Sequence, residues 1–474
     1  MIFYNGDCVK KLKPATKFSY AIGNLGYGTI AQTVSSFIMF FGTSVLGVPG
    51  TLVGIAIAIS AFWDGISDPI VGYLSDRTTS KVFGKRLGYL LFATLGMCIV
   101  NIVLWLIPVS LGNGLKFVWI LISLILLETC NTLFATPYVA LGIDLAPDYN
   151  EQASLQGLKT VFFIIGMILP SVLMIIFMPS SSNTQSQFMQ NGYVNISYVT
   201  SSLALISGAL CIIGTFKASK DTEHWKAPKK EKNAFFKIFY NFFKTLKHKH
   251  YGPIIIGYSV ALISASLLTS VGMHLFTYSF HFTSTQISIL MTILFIGAIV
   301  SQLFWIYLSK RIDKKNSLNT ALIVILIGIL LISIIFIFRN KIPSAYLFFI
   351  TIPCILFCGF GTGALYSLPV SMFADAITVD KMSSGENKSA TYSGFMTLAY
   401  SISNSLSLLI IGVLLDLIKF NPREPVQPLR VQNLLGVIVF LGCALSIGIS
   451  MFIFSKYKLT RSQILKAQMK NKEK

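Results

Sequence analysis

The chain has 474 residues, of which 54% are apolar and only 12% charged, with a mean hydropathy of +0.71. A soluble chain carries about 25% charged residues, so a water-soluble globular protein is excluded, and many apolar runs reach the ~20 residues that span a bilayer. The formal net charge of +20 is accordingly read as membrane topology and not as affinity for nucleic acid.

Taken in order, the hydropathy pattern predicts an all-α polytopic membrane protein with twelve transmembrane helices, at roughly 19–46, 51–74, 87–109, 116–142, 156–179, 195–216, 252–280, 285–308, 317–338, 344–373, 389–418 and 431–455. Residues 1–17 are polar and basic, and the first apolar run is followed by no small-residue cleavage pattern, so no cleavable signal is expected. An even number of spans puts both termini on one side. That side collects 32 of the 38 Lys and Arg residues, ten of them in 217–250 alone. By the positive-inside rule both termini are expected in the cytoplasm.

The most informative stretch is Ala61–Arg86. Asp64 and Asp68 lie four residues apart in an apolar run, which puts both carboxylates on one helix face, one turn apart, with Ser67 between them. Intramembrane acids are expensive and therefore functional candidates. They either hold an ion or hydrogen-bond within the helix bundle. The helix then leaves the apolar run into a basic loop that contains Asp76, Arg77 and Arg86. Helix 4 carries a third acid, Glu128, one turn before Thr132. A third carboxylate beside the pair makes full ionisation costly and tilts the coupled ion toward H+, unless Glu128 pairs with a basic or amide group elsewhere.

Residues 217–250 divide the chain into an N-terminal part, 1–216, and a C-terminal part, 251–474. Within the divider, Phe235, Phe236, Phe239, Phe242 and Phe243 recur at helical spacing among lysines. This reads as an amphipathic helix on the cytoplasmic leaflet or as a linker helix packed under the bundle. The two parts repeat weakly: Tyr73-Leu74-Ser75-Asp76-Arg77 returns 234 residues later as Tyr307-Leu308-Ser309-Lys310-Arg311, and Pro137 and Asp148 are echoed by Pro369 and Asp380. At the same offset Asp64 and Asp68 become Ala298 and Gln302. The acidic pair therefore belongs to one half only and is not shared scaffold. Two six-helix halves with internal repeats are a common plan of secondary transporters.

Other polar features point to packing. The glycines of Gly359-Phe360-Gly361-Thr362-Gly363 sit mid-helix, where small residues permit close helix approach. His274 either faces a cavity or has a structural role. The seven cysteines have no CxxC spacing, and Cys98, Cys130, Cys211, Cys354, Cys358 and Cys443 lie in apolar runs as reduced packing residues. With no nucleophile–base pair, nucleotide loop or His/Cys cluster, the sequence supports neither catalysis nor a resident cofactor.

The two six-helix halves and the Gly72…Asp76-Arg77…Gly84-Lys85-Arg86 loop resemble the major facilitator superfamily. Trp63-Asp64…Asp68-Pro69 and Pro137-Tyr138…Asp148-Tyr149-Asn150-Glu151-Gln152 narrow this. They resemble the glycoside–pentoside–hexuronide:cation symporters, the melibiose permease family, and the likeness runs from Lys17 to about Lys458. It implies Na+- or H+-coupled sugar symport by alternating access. Within that reading Asp64, Ser67, Asp68 and Thr132 bind the cation beside Glu128, while Lys159, Tyr366 and Tyr138 contact the substrate. Asp76, Arg77 and Arg86 form a cytoplasmic charge cluster that stabilises one orientation. The resemblance implies a small-molecule partner (a sugar, glycoside or hexuronide) and membrane lipid, a plasma-membrane location, no nucleic acid, and a monomer. The acids that melibiose-type members use on helices 1 and 4 read Gly28 and Ala135 here, and their helix 11 lysine falls at Tyr400. Melibiose itself is thus disfavoured, and with Lys159 kept an acidic sugar is suited. Another cargo, such as a lysolipid or a drug, and a non-transporting membrane sensor on the same scaffold are the alternatives.

Overall fold

The computed structural model describes residues 3–4, 7–8, 12–78, 80, 82–146, 149–179, 186–221, 251–384, 389–421, 424 and 426–459. At some of these positions, including Pro69, Tyr73, Asp76, 378–384 and 389–400, it describes the backbone alone. The amphipathic segment expected within 217–250 lies almost entirely outside the described residues, as do Asp148 and the side chain of Asp380.

Among the described residues the chain forms twelve long helical rods, in agreement with the expected all-α class. These are α1 (Pro14–Phe40), α2 (Gly50–Arg77), α3 (Leu87–Trp105), α4 (Asn113–Leu145), α5 (Tyr149–Phe177), α6 (Gln190–Asp221), α7 (Gly252–Tyr278), α8 (Ser284–Ile312), α9 (Lys314–Phe338), α10 (Ser344–Ser384), α11 (Ser389–Leu417) and α12 (Leu429–Ser455). A two-residue antiparallel pair, Phe3–Tyr4 with Asp7–Cys8, precedes them. Ten rods are long and apolar enough to cross a bilayer by themselves. α1 is not among them: Asn24, Gln32 and several Gly, Ser and Thr residues dilute its apolar content. The apolar described part of α11 is Ser401–Leu417. The chain is a multi-pass membrane protein. Pro137, Pro170, Pro353 and Pro369 all sit inside helices, as membrane helices tolerate when neighbouring helices and hydroxyl side chains re-satisfy the backbone groups that proline frees.

The residues group into two compact units, Met1–Phe41 with Ile59–Lys230, and Gly42–Ala58 with Glu231–Lys474. In the first, α1 packs on α5 and α6, and α3 on α4 and α6. In the second, α10 packs between α8 and α9, and α7 against α11 and α12. The expected role of the Gly359–Gly363 stretch is visible here. A Cβ on Gly359 would meet the Leu294 carbonyl at 2.4 Å, and one on Gly363 would meet Ser301 Oγ at 2.1 Å, so α10 approaches α8 as closely as backbone allows. A single residue, Asp313 with φ 79°, turns α8 into α9, and its carboxylate accepts from the Lys314 amide at 2.7 Å.

There are two π-turns, at Phe41–Val45, directly after α1 and in the second unit from Gly42 on, and at Leu267–Val271, inside α7. They lead to one contact, Thr43 Oγ1 to His274 Nε2 at 2.8 Å. His274 Nδ1 lies 3.3 Å from the Ser270 carbonyl, which can only accept. Nδ1 therefore carries the proton and Nε2 accepts from Thr43. His274 is fully buried, and its ring links the Leu267–Val271 turn to Thr43. In the same unit the Gly50 and Thr51 amides donate to the two oxygens of Asp416 at 2.8 and 2.7 Å, capping the start of α2. The six cysteines in apolar runs are all free, as expected.

Candidate cation and substrate sites

α2 and α4 meet through a ladder of polar side chains. On α2, Asp64, Ser67 and Asp68 fall on one face because they are spaced i, i+3 and i+4. α4 answers with Thr132 and Thr136, also one turn apart. Thr132 Oγ1 donates to Asp64 Oδ1 at 3.0 Å, and Thr136 Oγ1 donates to Asp68 Oδ1 at 3.2 Å. Ser67 Oγ lies 3.0 Å from Thr132 Oγ1 and 3.1 Å from the Asp64 carbonyl. Ser67 and Thr132 are buried at 4% and 1% exposure. Trp63 Nε1 donates to Thr129 Oγ1 at 2.8 Å and pins the register of the two helices.

This arrangement brings Asp64, Ser67, Asp68 and Thr132 together. It adds Thr136, which sequence reasoning missed although its four-residue spacing from Thr132 copies that of the two aspartates. Two carboxylates and three hydroxyls supply hard oxygen atoms and no thiolate or imidazole, a donor set suited to a hard cation and not to a soft metal. Among the described residues no three His, Cys, Asp or Glu side chains are grouped closely enough to hold one metal ion. Glu128 takes an amide partner: Asn131 Nδ2 donates to its Oε2 at 3.1 Å.

The substrate candidates divide between the units. On α5, Lys159 is half-buried, its Nζ 5.5 Å from the centre of the Tyr138 ring. Among the described residues no carboxylate pairs with it. Tyr138 is 1% exposed. Its hydroxyl donates to the Tyr20 carbonyl at 2.7 Å, and Tyr20 returns the bond to the Tyr138 carbonyl at 3.0 Å, with the rings stacked at 4.5 Å. The Tyr138 hydroxyl is thereby committed to α1, and its ring supports Lys159. Asn24, which donates to the Lys159 carbonyl at 3.3 Å, was not apparent from sequence. Tyr366, half-buried on α10, belongs to the other unit.

Of the charge cluster, the side chain of Asp76 lies outside the described residues. Arg86 is 9% exposed. Its Nη1 donates to Ser75 Oγ at 2.9 Å and its Nε to Asp144 Oδ2 at 3.4 Å, tying the head of α3 to the ends of α2 and α4. The second half repeats this with Lys314, at the head of α9, paired to Asp375 near the end of α10. Asp144 and Asp375 lie 231 residues apart, close to the repeat offset. That coincidence was the available signal for both.

The family described as MFS/sugar transport protein matches residues 19–461. The chain belongs to that family. This agrees with the melibiose-permease-like resemblance of helices 2, 4 and 5, and makes the protein a secondary transporter of the major facilitator superfamily and not an enzyme. An uncharacterized symporter of Synechocystis is 24% identical over 89% of this chain and 89% of its own. A sodium-dependent lysophosphatidylcholine symporter of Danio rerio is 21% identical over 96% of this chain and 88% of its own. A crystal structure of a D-xylose–proton symporter has a TM-score of 0.65 at 12% identity and covers 95% of this chain and 98% of its own, a likeness of fold.

Proposed function

We propose that this MFS transporter couples one or more monovalent cations, Na+ foremost, to the movement of a small polar solute of the sugar, glycoside or hexuronide class by alternating access. The observation that carries the reading is the matched ladder Asp64–Thr132 and Asp68–Thr136. Cation binding there offsets buried negative charge and so favours one conformational state. Coupling is then a reciprocal binding free energy, typically about 1–3 kcal/mol. Lys159, half-buried and free of a described carboxylate partner, supports a substrate with an anionic group, with Tyr366 as a ring-stacking platform. Arg86, with Ser75 and Asp144, stabilises one orientation of the cytoplasmic end. The charge distribution supports a plasma-membrane protein with both termini in the cytoplasm.

A second reading, a lysolipid cargo, is favoured by the 21% identity to a sodium-dependent lysophosphatidylcholine symporter over nearly the whole chain. Its phosphate would also suit Lys159. Flux of labelled glycosides, hexuronides and lysophosphatidylcholine into proteoliposomes, with Na+ and pH gradients imposed separately, tests both. The first reading expects Na+-driven accumulation of a glycoside or hexuronide. Flux of lysolipid alone would replace it, and flux indifferent to both gradients would remove coupling.

A further inference from the structure

Three carboxylates face the α2–α4 contact, and with all three ionised a single monovalent cation leaves most of their charge in place. Asp64 and Asp68 share the hydroxyl ladder. Glu128 lies one turn away from it, within electrostatic reach of both aspartates. Among the described residues no Lys or Arg is paired with Asp68 or Glu128. Asn131, 6% exposed, donates through Nδ2 to Glu128 Oε2 at 3.1 Å. Turning the amide over would set oxygen against a carboxylate, so the bond fixes its orientation. The consequence is an orphan: Asn131 Oδ1 is buried and has no hydrogen-bond donor. An unpaired buried acceptor beside a carboxylate is unfavourable unless something positive completes it. Thr129 does not, because its hydroxyl donates to the Ile125 carbonyl and accepts from Trp63. At the 232-residue offset that relates Pro137 to Pro369, the second half carries Phe360 and Gly363, so the Glu128–Asn131 pair is not shared scaffold.

We propose that Glu128 and Asn131 Oδ1 form a second cation subsite, one turn along α4 from the Asp64–Asp68 site, and that it takes a second monovalent metal cation of the Na+ type. The proposal rests on the coupling-ion reading above and extends it from one cation per cycle to two. Two cations balance more of the buried charge than one, and the three carboxylates offset the repulsion between them.

Equilibrium binding of radioactive Na+ to the purified full chain in nanodiscs tests this without knowledge of the substrate. Wild type is expected to bind two Na+ per chain. Asn131→Ala and Glu128→Gln are each expected to lose one and keep the other, and the retained site reports that they fold. Asn131→Asp, which keeps an oxygen at the position, is expected to keep both. One Na+ per chain in wild type, or two in Asn131→Ala, overturns the second subsite and leaves the first intact. One Na+ bound together with uptake of a proton also overturns it, assigning the second charge to H+. Absence of Na+ binding in wild type overturns the coupling-ion reading itself.

Discussion

Thr132 donates to Asp64 across the α2–α4 contact at 3.0 Å, and the same 68-residue separation recurs one turn on, where Thr136 donates to Asp68 at 3.2 Å. The repetition means that the two helices run in register over at least a turn, so the pair of carboxylates and the pair of hydroxyls act as one oxygen-lined strip. A bound cation would take the place of those donated hydrogen bonds at the carboxylates, with the hydroxyls keeping their protons and turning their oxygens toward it.

If that strip holds Na+, the hydroxyl at Thr132 matters as an oxygen. Thr132→Ser is expected to bind Na+ nearly as wild type does. Thr132→Ala should lose about 1.5–3 kcal/mol, the worth of a hydrogen bond to a charged group. Asp68→Asn, nearly isosteric and neutral, should keep the fold and downhill exchange of substrate yet abolish Na+-driven accumulation. Concentrative uptake by Asp68→Asn with unchanged Na+ dependence would remove the α2 pair from coupling.

Substrate affinity tests the two candidates outside the cation strip. Tyr366→Ala should lose roughly 1–3 kcal/mol if its ring stacks on the substrate, and Tyr366→Phe much less. Lys159→Gln should weaken an acidic substrate more than a neutral analogue. Equal affinities in wild type and Tyr366→Ala would return the residue to packing.

The Arg86 junction predicts a stability effect. Arg86→Ala strands Asp144 and removes a donor from Ser75, and should cost about 1–3 kcal/mol, with the lower part of that range expected because Asp144 is 36% exposed. Arg86→Lys should recover little, since a single ammonium does not reproduce a two-armed fork. Thermal unfolding of the purified variants provides the comparison. The Arg86→Ala/Asp144→Ala double variant should be less destabilised than the two single costs added together.

Topology is checked by cysteine labelling in intact cells. Ser110, in the exposed α3–α4 connection, should react from outside as Ser110→Cys. Val82, 59% exposed in the α2–α3 connection, should be protected as Val82→Cys until the membrane is permeabilised. The opposite pattern would invert the assignment drawn from the Lys and Arg distribution.

The amino-acid sequence by itself determined the membrane class, the twelve rods and the prominence of Asp64 and Asp68. Each of these is a local property: hydropathy accumulates along one segment, and a four-residue spacing fixes a helix face wherever that helix lies. What only the tertiary structure decided is which face meets which. Thr136, Asn131 and Asp144 are ordinary residues in an apolar helix until α4 is rotated against α2 and α3. Nothing in the sequence showed that the Tyr138 hydroxyl bonds to the Tyr20 backbone. His274 was ambiguous until the π-turn brought Thr43 to its Nε2. Helix rotation and register are set by packing against neighbours distant in sequence, and no single helix carries that information in its own pattern.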